Sequence, residues 1–231
     1  MKFAGRELNC LSYWYPKIVN EVPTPDTTIH TTEVNLIEMI DGTTPKGFNE
    51  FISIMGRITD HAGYPCFLRT GMTSGKHEWP KTCFLTSRHE LGSHVYALVE
   101  YSEMADLVGL PYNVWVVREM LPTKPIGITM SGMPVTREFR CFVDGGDVKC
   151  VHPYWPKESL REGVPEGYNE MCSISAGESE EVSGLAAKAG KAVGGAWSVD
   201  VLWTEKGWYV IDMARAEDSW HWPNCPNGRE S

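Results

Sequence analysis

Two aspartates near the end of the chain carry the first recognisable chemistry. The run Trp197 to Met213, WSVDVLWTEKGWYVIDM, holds two alternating stretches joined by Thr204-Glu205-Lys206-Gly207. The pattern predicts a β-hairpin with a three-residue loop, Glu205 to Gly207, in which Gly207 takes a positive φ. With that loop Thr204 pairs with Trp208, and Asp200 lies directly opposite Asp212. Facing carboxylates repel across a ladder, so such a pair points to a cation between them. Oxygen-only ligands on a stiff sheet suit Mg²⁺, which is usually held by one or two carboxylates plus substrate phosphates. The competing reading is a register one residue off, which sends the two aspartates to opposite faces.

Three further stretches carry groups that could act on an anionic substrate. Arg69-Thr70-Gly71-Met72-Thr73-Ser74-Gly75-Lys76 follows a strand-like segment and can offer backbone N–H groups and a lysine to phosphates. Its Gly-x3-Gly-Lys spacing, with His77 where Ser or Thr is required, is not a Walker A motif. The plain alternative is a solvated loop with an incidental lysine. In Arg137-Glu138-Phe139-Arg140-Cys141-Phe142-Val143, alternation puts Glu138 and Arg140 on one face and Arg137 with Phe139 on the other. Arg140 then either makes an edge ion pair of little energetic weight or aims a guanidinium at a phosphate or carboxylate. Val114 to Pro122 is an apolar strand that runs into Arg118 and Glu119 before a proline, either a core strand with polar ends or a strand that presents them to a ligand.

The elements that must hold these groups follow from periodicity. Residues 1–45 are rich in Pro and Thr, which predicts short strands and loops. Phe48, Phe51, Ile52, Met55 and Ile58 mark a helix that stops at Gly63. Pro65 to Thr70 predicts a strand, and Ser87 to Glu90 a capping box opening a helix to about Leu107. Asn113 to Glu119 predicts a strand, and Arg137–Val143 with Val148–Val151 a hairpin around Asp144 to Asp147. Val182, Leu185, Ala186, Ala189 and Val193 mark a second helix, stopped by Gly194-Gly195. Helices interspersed with hairpins make an α+β pattern.

Composition narrows the class. A chain of 231 residues suffices for one large domain or two lobes around a cleft. The formal net charge of −9 argues against a surface that grips nucleic-acid backbone. Seven cysteines lack any Cys-x-x-Cys, which favours reduced, intracellular thiols over a disulfide framework or a zinc site. The start lacks a signal-type apolar region and no stretch approaches a membrane span, so a cytoplasmic protein is expected. Trp220-His221-Trp222, just past the last strand, reads as aromatic cover for a sheet edge, with an acceptor pocket as the alternative.

Taken in order, these pieces resemble the ATP-grasp superfamily over roughly residues 16–222. Val22 to Thr27 is similar to the segment before the nucleotide lobe. Tyr64 to Arg69 resembles the strand that ends in the first nucleotide-binding lysine, here an arginine. Thr73 to Lys76 looks like the glycine loop, and Val116 to Glu119 like the hinge. The arginine brings to mind small phage-type ATP-grasp proteins and, more distantly, the eukaryotic ATP-grasp assembly factors for translation initiation. The resemblance implies two lobes of antiparallel sheet and helices clamping a nucleotide. They would comprise a pre-ATP segment at 1–62, a small lobe at 63–120 and a large lobe at 121–231.

It also implies ATP and Mg²⁺, with Arg69, Ser74, Gly75, Lys76, Val117, Arg118, Glu119, Met120 and Arg140 on the nucleotide. Asp200 and Asp212 take the metal, and Arg140, Lys76 and Arg137 act in catalysis. The implied reaction joins a small-molecule or peptide carboxylate to an amine through an acyl phosphate. The competing function is a module that clamps a protein partner on ATP with little turnover. Nucleotidyl transfer to an RNA or protein end is a third, weaker reading. A phage-encoded protein would work in its host's cytoplasm; membrane and nucleic-acid partners are not expected. One departure stands out: where the family places a further asparagine ligand, this chain has Ala214 after Asp212-Met213, leaving Glu217 or Asp218 as substitutes.

Overall fold

The computed structural model of the protein describes residues 5–105 and 109–228. In chain order the elements are α1 (Leu11–Ile18), β1 (Thr27–Thr31), α2 (Phe48–Ala62), β2 (Cys66–Thr70), β3 (Phe84–Leu85), α3 (Leu91–Met104), β4 (Val114–Glu119), β5 (Gly127–Ile128), β6 (Pro134–Val135), β7 (Glu138–Asp144), β8 (Asp147–Pro153), α4 (Tyr168–Cys172), α5 (Ala176–Val193), β9 (Ala196–Thr204) and β10 (Gly207–Arg215). The fold is α+β, as expected. The chain divides into two compact units: residues 25–121 with 131–133, and residues 1–24 with 122–130 and 134–231. Residues 25–62 pack with the middle of the chain and residues 1–24 with its C-terminal part. No helix among the described residues is long and apolar enough to cross a membrane.

The middle unit is built on an antiparallel sheet of order β1-β4-β2-β3. Alternation turns Cys66, Leu68, Trp115 and Val117 toward α2 and α3, where Phe51, Met55, Leu91, Val95 and Leu98 complete a buried core. The opposite face carries Phe67, Arg69, Val116 and Arg118. The helix from Phe48 ends at Gly63 as expected, where φ is 80° and the Gly63 N–H reaches the Thr59 carbonyl. The expected capping box at Ser87 does not form. Glu90 instead accepts from the N–H and hydroxyl of Thr86, at 3.0 and 2.8 Å, because a 3₁₀ turn at Arg88–Glu90 intervenes before α3. The expected end of that helix at Leu107 lies outside the described residues.

The other unit is built on a sheet of order β10-β9-β7-β8, all antiparallel. One face is covered by α5. Gly190 brings that helix so close that a Cβ there would stand 2.5 Å from Val143 Cγ2. Ser175 and Glu178 cap α5 reciprocally, a box the expected helix start at Val182 missed. The N-terminal helix α1 was also missed: Leu11, Trp14, Tyr15 and Ile18 are buried at helical spacing, although Pro16 sits inside it.

The final hairpin reaches its expected pairing by a different route. Its loop has two residues, so Thr204 pairs with Gly207 and Trp208 with Trp203. A β-bulge between Val210 and Asp212 then inserts Ile211, and the register recovers to put Asp212 opposite Asp200. Without the bulge Asp212 would share Val210's helix-covered face; the extra residue re-aims it.

Candidate active site

One rung crosses the entire second sheet. His152 on β8 pairs with Arg140 on β7, Arg140 with Asp200 on β9, and Asp200 with Asp212 on β10. Directly paired residues share a face, and this is the face away from α5, since Phe139, Cys141 and Val143 occupy the helix side. Glu138, one position along the same face as Arg140, is also buried.

Within the rung, Arg140 and Asp200 hold each other. The guanidinium donates through Nε to Asp200 Oδ1 at 2.7 Å and through its second terminal nitrogen to Oδ2 at 2.8 Å. Asp200 is 5% exposed, so this two-pronged pair is largely desolvated and strong. Burial works against the Arg140 charge, but Asp200 more than restores it and the guanidinium's pKa lies above its ordinary value. The Arg140 plane also lies 4.7 Å from the Tyr154 ring, and its remaining nitrogen reaches the Trp220 carbonyl at 3.4 Å. The sequence had placed Arg140 on a phosphoryl group and Asp200 on Mg²⁺; here each is the other's partner. Half-buried Asp212 accepts the Met213 N–H at 3.1 Å.

Arg137 is not beside Arg140. It turns to the helix side and donates to Glu178 at 2.5 and 3.1 Å and to the Ser173 carbonyl at 2.7 Å. Arg137, with help from Ser175, holds the Glu178 carboxyl well below the usual range, at about 2. The correction has a plain cause: odd and even positions of a strand face opposite ways. Glu217 is paired with Arg215, and Asp218 accepts from Asn9 at 2.8 Å, so both substitutes for the missing asparagine are engaged elsewhere. Ala214 pairs with Ser198.

In the first unit, Arg69 and Arg118 share the face opposite the helices and are each 5% exposed. Arg69 Nε donates to the Thr70 carbonyl at 3.1 Å and Arg118 Nε to Thr27 at 3.1 Å. After β2 the chain knots at Thr70, whose N–H and hydroxyl both reach the Thr73 carbonyl. Gly75, with φ 60°, then turns into the 3₁₀ turn that begins at Lys76. Burial pushes the Cys83 thiol, just ahead of β3, up to about 12. Glu119 Oε1 accepts the Asp26 N–H at 3.0 Å at the end of β4. Val117 is core, so it can offer only backbone.

A cavity of about 640 Å³ in the second unit is lined by Tyr13, Phe142, Trp197, Arg215, Ser219 and His221, among others; none of the residues expected on the nucleotide lines it. The sequence also missed a cluster of Cys150, His152, His221 and Cys225, whose ligand atoms lie within 4.8 Å of one another. This cuts against the expectation that cysteines without Cys-x-x-Cys make no metal site. The signal was the pair of short spacings Cys-x-His and His-x3-Cys.

Residues 55–225 match the family model described as ATP-grasp domain, R2K clade family 3. Among solved structures, C-terminally truncated Cdc123 from Schizosaccharomyces pombe is similar with a TM-score of 0.59 at 16% identity, over 91% of this chain and 84% of that one. N5-carboxyaminoimidazole synthase from Aspergillus clavatus, in complex with ADP and 5-aminoimidazole ribonucleotide, has a TM-score of 0.53 at 12% identity, over 90% of this chain and 44% of that one. D-alanine–D-alanine ligase from Bacillus anthracis has a TM-score of 0.51 at 12% identity, over 91% and 57%. The chain therefore spans about half the length of these two proteins. No curated protein matches it.

Proposed function

Since the chain belongs to family 3 of the R2K clade of ATP-grasp domains, we propose that it is an ATP- and Mg²⁺-dependent ligase joining a carboxylate to an amine. The reading rests on one observation above the others: Arg140, Asp200 and Asp212 stand side by side across three strands, on the face the helices leave free. A guanidinium next to two carboxylates is what phosphoryl transfer uses, since the work is positioning and charge neutralisation.

In this reading Arg69 and Lys76 draw the phosphates of ATP, with Ser74 and Gly75 supplying hydroxyl and N–H donors. Val117 to Met120 offer backbone to the adenine, and Glu119 accepts from a ribose hydroxyl. The γ-phosphoryl group passes to a carboxylate oxygen of the acid; its bond to the ADP oxygen breaks and an acyl phosphate forms. The amine attacks the acyl carbon, phosphate leaves, and the amine's surplus proton goes to solvent. Arg140 stabilises the transferring group, while Arg137 acts at a distance by fixing the start of β7 to α5.

The oxygen donors of Asp212 and Asp200 suit Mg²⁺, which when bound would neutralise phosphate charge. Asp212 would be the primary ligand. Asp200 would hold the ion with it, although in this structure both Asp200 oxygens accept from Arg140.

The same engagement favours a second reading. An acid already neutralised by arginine, together with Ala214, suits a module that binds ATP, clamps a protein partner and turns over little. Calorimetric titration of ATP with Mg²⁺ into the wild type and Lys76→Ala tests the site. Binding that weakens at least tenfold in the variant supports it; equal binding removes Lys76 from it. ADP release that requires an added acid and amine then supports the ligase, and release only with a protein partner supports the module.

A further inference from the structure

We propose that Cys150, His152, His221 and Cys225 form a structural Zn²⁺ site that fastens the C-terminal segment to the edge strand of the second sheet. The inference does not depend on the ligase reading. Cys150 and His152 lie two residues apart on β8 and so project from one face. They pair with Phe142 and Arg140, so that face is the one bearing the catalytic rung. His221 and Cys225 come from the segment after β10, which doubles back along β8. Trp222 donates its ring N–H to the Pro153 carbonyl at 2.7 Å, and Asn227 its amide to the Lys149 carbonyl at 2.8 Å. The expected aromatic cover of a sheet edge is therefore real, and it delivers two metal-ligand side chains with it.

Four observations converge on a metal. The ligand atoms of all four residues lie within 4.8 Å of one another. Cys150 Sγ stands 3.2 Å from His221 Nε2, and the two imidazoles meet edge to face with centroids 4.9 Å apart. The His152 Nε2 atom is buried and has no hydrogen-bond partner, a costly state for a ring nitrogen unless it has another role. His221 Nδ1 lies 3.3 Å from the Trp222 carbonyl, the outer hydrogen bond that fixes a ligating imidazole's tautomer and leaves Nε2 for the metal.

Two thiolates and two imidazoles are a closed tetrahedral set for zinc, with Zn–S of about 2.3 Å and Zn–N of about 2.0–2.1 Å. Those bond lengths set ligand–ligand edges of about 3.3–3.8 Å, so even a pair 4.8 Å apart must close by only about 1–1.5 Å. Soft thiolates exclude Mg²⁺, which keeps this site chemically distinct from the carboxylates of the rung next to it. The same segment places the Trp220 carbonyl on Arg140, so a zinc clamp would fix one of that guanidinium's contacts.

The test uses the full chain, stripped with chelator under reducing conditions, dialysed against Zn²⁺ and then freed of loose metal. Bound zinc is measured by elemental analysis, and Co²⁺ is used separately as a spectroscopic probe. The expected result is one Zn²⁺ per chain and a Co²⁺ spectrum with tetrahedral and thiolate-charge-transfer bands. Cys225→Ser, checked for an unchanged fold by circular dichroism, should lose more than the about 10–100-fold in affinity typical of outer-shell changes. Cys172→Ser, outside the cluster, should bind as the wild type does. A folded wild type that retains no zinc, a Cys225→Ser variant that retains it fully, or a Cys150–Cys225 disulfide in the protein as purified would each overturn the proposal.

Discussion

The two sheets treat their helix-free faces in opposite ways. On the first, that face carries Arg69 and Arg118 and no acid from β2 or β4. On the second it carries Glu138, Asp200 and Asp212 with one guanidinium, Arg140, among them. On the first sheet Arg69 donates to the Thr70 carbonyl and Arg118 to Thr27. The second satisfies its arginine with one of the acids across the ladder. A cationic face suits phosphates and an acidic one suits the divalent cation that accompanies them.

The largest effect should come from breaking the rung. Arg140→Ala leaves Asp200 buried and uncompensated, so unfolding by denaturant should show a loss of about 3–5 kcal/mol. The double change Arg140→Met with Asp200→Leu should restore most of it, since an apolar pair can replace a buried ion pair. If Arg140→Ala costs nothing, the rung is not the tightly held unit described here.

A smaller effect should come from Arg137, the arginine on the wrong face to join the rung. Arg137→Met should cost about 1 kcal/mol at neutral pH, because the Glu178 partner is partly exposed. The pH dependence carries the sign. Glu178's folded pKa lies near 2, below its ordinary 4.5, so its contribution is full above 4.5 and is lost as pH falls toward 2. The variant should therefore lose less stability than the wild type across that window. Identical acid limbs in thermal melts would remove Arg137 as the source of the shift.

How much of this was legible in sequence can be followed at particular residues. Strands β2, β4 and β7 to β10 and helices α2 and α5 show in their periodicity. The Asp200–Asp212 pairing was anticipated, but through a three-residue loop, where the chain uses a two-residue turn plus a bulge at Ile211. A bulge has no composition of its own, so sequence can give the end state without the path. The Arg140–Asp200 bond was invisible because nothing local says that β7 and β9, 60 residues apart, are neighbours. α1 was hidden by Pro16, although its buried positions keep helical spacing. The Cys/His cluster was hidden by distance, since its halves lie about 70 residues apart and meet only when the C-terminal segment folds back on β8.

The most direct test of the opposition between the two faces is ATP binding to the wild type and Asp212→Asn, each titrated calorimetrically with and without Mg²⁺. The account predicts that Mg²⁺ tightens ATP binding to the wild type by at least tenfold and does little for the variant, while metal-free binding stays equal in both. A variant in which Mg²⁺ helps as much as it does in the wild type would contradict it.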